Sequence, residues 1–310
     1  MGLVYHNGKF VPESSIQKID ARATTLLRLR SFLDRNEPSL VRFLVNTWQS
    51  QGKAITYKEL REAILSGEIS NAHMAAWMQD YSKLVAECLQ PGWELAIATA
   101  AKHVAAGPWT FDPMGDAVRN WVKDHAAEFV TNVTTTQIDG LRAVVQRAAV
   151  LEDLSVDELS RVIRPMVGLT KPQAAANMRY YENLVANGVS KKRANDLSLR
   201  YAARQHRYRA YNIARTELAT SYNQGGYLGT KQAQAAGYMG EVEKVWCTAD
   251  DEGVCKICGK LDGKVVALDE EFDGASSTWS TKLTAPAHPG CRCAIMYREK
   301  TPPNIKITIV

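Results

Sequence analysis

Apolar residues recur at helical intervals along most of this chain, and alternation of the strand kind is confined to its two ends. Residues 1–20, MGLVYHNGKFVPESSIQKID, show short β-like pieces with turn residues and no helical period. From about 21 to 236 the pattern predicts helices, and capping signals mark where they start. Thr56-Tyr-Lys-Glu59 and Ser155-Val-Asp-Glu158 fit the box in which a hydroxyl caps an amide and a carboxylate reaches back. Thr170-Lys-Pro-Gln173 offers a third start, with Pro172 in the first turn, where its missing donor costs nothing. QPGW (90–93) and AGPWTFDPMG (106–115) read as breaks between helical stretches. The Thr-rich, uncharged TNVTTT (131–136) reads as poorly helical and predicts a boundary. Helices are then expected near 137–150, 156–165 and 172–187. A stop and restart at ANGVSKK (186–192) leads into a long helix from 190 to about 224, resuming through 236 after QGG at 224–226.

Past Gly240 the period changes. EVEKVWCTA, GKVVAL (263–268) and CRCAIMY (291–297) read as three short strands. The expected fold is α+β: predominantly α-helical, with a small C-terminal β-rich module that needs a staple because it buries little apolar surface. Three regions follow: a mostly helical 1–130 of unassigned role, a helical 131–239 carrying a long basic helix, and the β module with its tail at 240–310.

Composition supplies the staple. The chain has 310 residues, 45% hydrophobic and 23% charged, the balance of a soluble globular protein. LAIATAA (95–101) is far too short to cross a bilayer, and MGLVYHNGKF lacks the form of a secretory signal, so a cytoplasm is the expected place of synthesis. Thiols stay reduced there, and clustered cysteines more often hold metal than form disulfides. Four of the six cysteines sit in two short loops. Cys255 and Cys258 form one C-x-x-C turn, and His288 and Cys291 form a second turn with the same spacing. Cys293 is a fifth candidate, facing the same side as Cys291 if the segment is extended. Four of these five groups, bound to zinc, would leave no open coordination position, which marks a structural site. A catalytic zinc would need a free position and an acid–base group, and Asp250, Asp251 and Glu252 read instead as a solvated acidic turn. Cys88 and Cys247 read as small core residues.

The net charge of +5 is modest, but its distribution is not even. Between Lys191 and Arg215 eight basic residues face one acid, Asp196. Arg193, Arg200, Arg204 and Arg207 share one helical face, readable as a contact for nucleic-acid phosphates or an acidic partner, or as a solvated face. Leu197, Tyr201, Tyr208 and Tyr211 form a neighbouring stripe expected to pack inward. Further along, Arg215, Thr216, Glu217 and Asn223 lie on a helix ending in glycines, where helix–helix polar contact explains them as well as catalysis does.

YNIARTELATSYNQGG, KVWCTADDEGVCKICGKLDGKVV and PAHPGCRC, in that order, resemble the phage Mu F-like head morphogenesis family, the minor head or minor capsid proteins of tailed phages. The resemblance is specific for about 210–298 and extends loosely back to about 137. Arg215, Thr216 and Glu217 fall on the family's helical motif; Trp246, Asp250, Cys255 and Cys258 on its first loop; His288, Pro289, Cys291, Arg292 and Cys293 on its second. It implies a virion component associated with the portal protein and with major capsid or inner head components, made in the host cytoplasm, with phage DNA as a non-specific contact. No catalytic role carries over, and neither a membrane nor a small-molecule substrate is expected. The rival readings are a zinc-supported nuclease, an ADP-ribosyltransferase and a non-specific DNA-binding protein. For the transferase, Glu241-Val-Glu243 precedes SSTWST (276–281), the wrong order for that chemistry.

Overall fold

The computed structural model describes residues 3–6, 9–12, 21–77, 83, 85–104, 109–151, 155–249, 251–273 and 283–300. Strands β1 (Leu3–His6) and β2 (Lys9–Pro12) pair antiparallel as a hairpin. Helices α1 (Ala21–Ala54), α2 (Tyr57–Ser66) and α3 (Asn71–Trp77) follow. A π-helical turn, Val85–Leu89, runs directly into α4 (Gln90–Ala101). Next come α5 (Asp116–Ala149), α6 (Val156–Ile163) with a 3-10 turn at Arg164–Met166, α7 (Lys171–Ala186) and α8 (Lys191–Ala235). The chain closes with β3 (Val242–Cys247), α9 (Lys256–Leu261), β4 (Val265–Ala267) and β5 (Ala294–Glu299). It is thus mostly helical with a small antiparallel sheet in the order β4-β3-β5, Lys244 opposite Val266 and Trp246 opposite Ile295. Among the described residues no helix is long and apolar enough to cross a membrane.

The capping signals form as written. Thr56 Oγ1 accepts from the Glu59 amide at 3.2 Å while the Thr56 amide donates to Glu59 Oε2 at 2.9 Å. Ser155 and Glu158 repeat the exchange at 3.3 and 3.0 Å, and the Thr170 amide donates to Gln173 Oε1 at 3.2 Å. Each satisfies donors that a helix start would otherwise leave bare.

The expected breaks do not all form. TNVTTT lies inside α5, because the hydroxyls of Thr131 and Thr136 donate back to the carbonyls of Ala127 and Asn132, both at 2.9 Å. Burial of Val133, Gln137, Gly140 and Leu141 then outweighs the weak propensity of threonine. Pro91 sits in the first turn of α4 and marks only its junction with the π turn. The inward stripe of α8 is also different: Ala194, Ser198, Ala202, His206 and Ala210 are buried, while Tyr208 and Tyr211 are 65% and 39% exposed. Small residues win the inner face because α8 packs closely against α1, α4 and α7.

QGG does not interrupt α8. A Cβ built on Gly225 would come within 3.0 Å of the Ile97 backbone on α4, and one on Gly229 would meet Ala101. The glycines let two helix backbones touch, at the heart of a core formed by Leu29, Phe32, Trp93, Ile97, Leu218 and Tyr222. In an open helix Gly→Ala would stabilise by about 1 kcal/mol. At Gly225 the obstacle is backbone, which cannot step aside, so overpacking dominates. Gly225→Ala is expected to lower the unfolding free energy by roughly 2 kcal/mol, read from urea denaturation; an unchanged midpoint would contradict this packing.

Candidate metal centre

The first turn is built on a helix start. Cys255 caps α9, its sulfur accepting from the Cys258 amide at 3.3 Å, so both side chains leave the same end of one short helix. The second turn closes by a Cys291 amide bond to the His288 carbonyl at 3.2 Å, with Gly290 at φ 69°. Its register against the helices is set from outside. The Gly290 amide donates to Thr216 Oγ1 of α8 at 3.0 Å.

These turns bring the donors together. His288 Nε2 lies 3.1 Å from Cys255 Sγ and 3.2 Å from Cys258 Sγ, and Cys258 Sγ lies 3.6 Å from Cys291 Sγ. A tetrahedron with metal–ligand bonds of 2.0–2.3 Å has edges of about 3.3–3.8 Å; the sulfur–sulfur separation falls in that range and the two to the imidazole lie about 0.1–0.2 Å below it. Two groups of three emerge, Cys255–Cys258–His288 and Cys258–Cys291–Cys293, and Cys258 belongs to both. Cys258, Cys291 and Cys293 are buried, Cys255 and His288 half-buried. Cys291 and Cys293 precede β5 rather than lying in a strand, so no strand alternation sets their facing.

The surroundings suit a cation. His288 Nδ1 is 2.9 Å from the Pro289 carbonyl, which can only accept; the proton therefore sits on Nδ1 and the Nε2 lone pair turns to the sulfurs. Hydrogen bonds from the Cys258 and Cys293 thiols pull the Cys291 thiol far down, and the same crowding pushes Cys258 up. A dication would relieve that competition by stabilising several thiolates at once. The cavity between the donors and Gly253, Val254 and Arg292 is about 30 Å³, room for an ion. The cluster can hold a metal ion. Behind it Trp246 and Phe272, both fully buried, meet edge to face at 5.2 Å. At its rim Asp251 takes both guanidinium nitrogens of Arg292, at 2.6 and 2.8 Å, and this bond holds the Asp251 carboxyl below its usual range. The acidic turn is therefore tied down at Asp251; Asp250 lies outside the described residues.

The helical motif beside the cluster joins four elements. Arg215 Nε lies 3.4 Å from Glu37 of α1, whose carboxyl burial pushes upward. Glu217 meets His125 of α5 at 2.7 Å, and Thr216 holds the second metal turn. Asn223 Oδ1 accepts from the Ile295 amide of β5 at 2.9 Å. All four are helix-to-partner contacts, the non-catalytic reading of that motif.

Lys244 was not singled out by its residue type. It is fully buried, its Nζ donating to the Leu283 carbonyl at 2.6 Å above the Phe272 ring at 5.3 Å, and burial pushes it down to about 8. Its place two residues from both Val242 and Trp246, on the inner face of β3, was the available signal. The basic face stands apart from the cluster. Arg193, Arg200, Arg204 and Arg207 are all exposed. Arg209 instead turns inward, donating to the Gly168 carbonyl and, at 2.9 Å, to Thr136 Oγ1.

Residues 155–296 match the profile of a family described as phage Mu protein F like protein. The chain carries a Mu F-like region. That region starts at the capped residue Ser155 and contains α6 to α8, all five donors, the four exposed arginines and the Arg215–Glu217 motif. Residues 1–154 lie outside the match. Comparison with curated proteins and with solved structures gave no match. The Mu F-like region points to a phage head-related protein.

Proposed function

We propose that this chain is a phage minor head, or minor capsid, protein: a structural component of the virion head that binds the portal protein and inner head or major capsid components, with zinc as its resident metal. One observation carries the reading. The Mu F-like match coincides with the part of the chain in which a closed donor cluster is locked to a long helix. Soft thiolates with one imidazole favour zinc among the common divalent ions. Cys255, Cys258 and His288 would supply three ligands and Cys291 or Cys293 the fourth. Zinc so held acts as a cross-link between the two turns. The small cavity supports a structural rather than catalytic role, since a reacting group would need space beside the ion. SSTWST, the stretch weighed for ADP-ribosyl transfer, lies outside the described residues.

Mass spectrometry of purified heads and procapsids should find the chain with portal-containing particles, and pull-down with the portal protein should retain it. Its absence from purified heads would overturn the proposal.

DNA is a second contact, favoured by the exposed arginine face. None of Arg193, Arg200, Arg204 and Arg207 forms an ion pair among the described residues, and Arg204 rests 5.6 Å from the Tyr201 ring centroid. If each neutralises one phosphate, log affinity for duplex DNA should fall with log salt at a slope of about −3.6, from four times −0.9. Binding that ignores salt, or no binding at low salt, would remove this contact.

A further inference from the structure

A second concave site shares no lining residue with the metal cluster. The end of α1, the start of α2, the 3-10 turn and the first half of α8 enclose a cavity of about 410 Å³. That volume is in the range that admits a bulky side chain with its flanking backbone. Its floor is apolar: Trp48, Pro165, Ala202 and Ala203 line it. His206, also on the floor, is buried and bonded through Nε2 to the Val167 carbonyl at 2.9 Å, and burial holds its pKa down to about 4, so it brings no charge at neutral pH.

The rim has one sign. Lys53, Arg161 and Arg164 line the cavity and no carboxylate does. Arg164 is fixed in place, its Nε donating to the Gly52 carbonyl at 2.7 Å and its guanidinium 4.9 Å from the Tyr57 ring centroid. Lys53 and Arg161 are exposed and form no ion pair among the described residues. Asp196, next to lining residue Asn195 on α8, is not part of the lining. Two large apolar side chains stand open at the mouth, Leu199 at 39% and Tyr57 at 50% exposure. Below them the Trp48 indole N–H and the Asn195 amide oxygen are buried with no hydrogen-bond partner, a cost that packing within the chain leaves unmet.

We propose that this cavity docks an acidic protein segment of a head partner, which inserts one bulky apolar side chain over Leu199 and sets flanking carboxylates against Lys53, Arg161 and Arg164. Charge complementarity selects the acidic flank, and the apolar floor selects protein over nucleic acid. A phosphate backbone would satisfy the rim but leave the floor empty. The proposal deepens the head-protein reading and rests on it only for which assembly supplies the partner.

The test is fluorescence anisotropy on the full chain with a labelled twelve-residue glutamate-rich peptide carrying one central leucine. Replacing that leucine by serine should weaken binding at least about tenfold, equivalent to 1.4 kcal/mol. Arg161→Glu and Leu199→Glu should each do the same with the far-UV circular dichroism unchanged, and Lys123→Glu, an equal charge change on α5, should not. Equal binding of the serine peptide, wild-type affinity in both cavity variants, or no binding at millimolar peptide would overturn the proposal. So would displacement of the peptide by a twelve-nucleotide thymidine oligomer whose own binding is lost in Arg161→Glu. Peptide binding by a chain missing from heads would sink only the head-protein reading; a chain present in heads that ignores the peptide would sink only this one.

Discussion

Three thiols and an imidazole crowd around one buried sulfur, that of Cys258, and the C-terminal module is arranged about them. The module has little else to hold it. Its helix is six residues long, one of its strands has three, and its buried cluster counts Cys258, Cys291 and Cys293 among its members. Comparable structural zinc sites contribute on the order of 10 kcal/mol. Packing of so small an interior would not approach that once the entropy of ordering two loops is set against it. In the helical part apolar burial does this work, with Trp48, Trp93, Ile97 and Tyr181 almost fully enclosed; under the zinc reading proposed above, the ion would do it in the module.

A metal cross-link would fix the module within itself but not on the helices. That second task falls to α8. Over the nine residues from Arg215 to Asn223 it reaches α1 through Glu37, α5 through His125, the second metal turn through Gly290 and β5 through Ile295. Removing one partner would strand the other in a buried or half-buried setting, so these contacts define one arrangement more than they add stability. The close backbone approach at Gly225 and Gly229 then sets α8 against α4. The Mu F-like region thus joins the donor cluster and its sheet to the helical face that receives them.

Much of this was legible because it is written locally. The capping boxes at Thr56 and Ser155 need only four consecutive residues, and both formed. The paired x-x spacings of Cys255–Cys258 and His288–Cys291 are likewise short-range, and folding brings both turns to one place. What sequence missed depends on partners far along the chain. TNVTTT is helical because Leu141 and Val133 find a core and Thr136 meets Arg209 from 73 residues away. QGG reads as a break until Ile97 is seen against it. Tyr208 and Tyr211 looked like an inward stripe, yet the neighbouring helices come too close for rings and admit alanine instead. Arg209 is one of the eight basic residues between Lys191 and Arg215, and nothing in that count shows that it turns inward to Gly168 and Thr136.

Hydrogen exchange read by mass spectrometry, before and after removal of metal by a chelator, tests the staple most directly. The chain as isolated should contain one zinc, and stripping it should deprotect amides in 251–268 and 288–296 while those of α1, α5 and α8 keep their protection. A metal-free chain whose module exchanges as slowly as before would contradict the account.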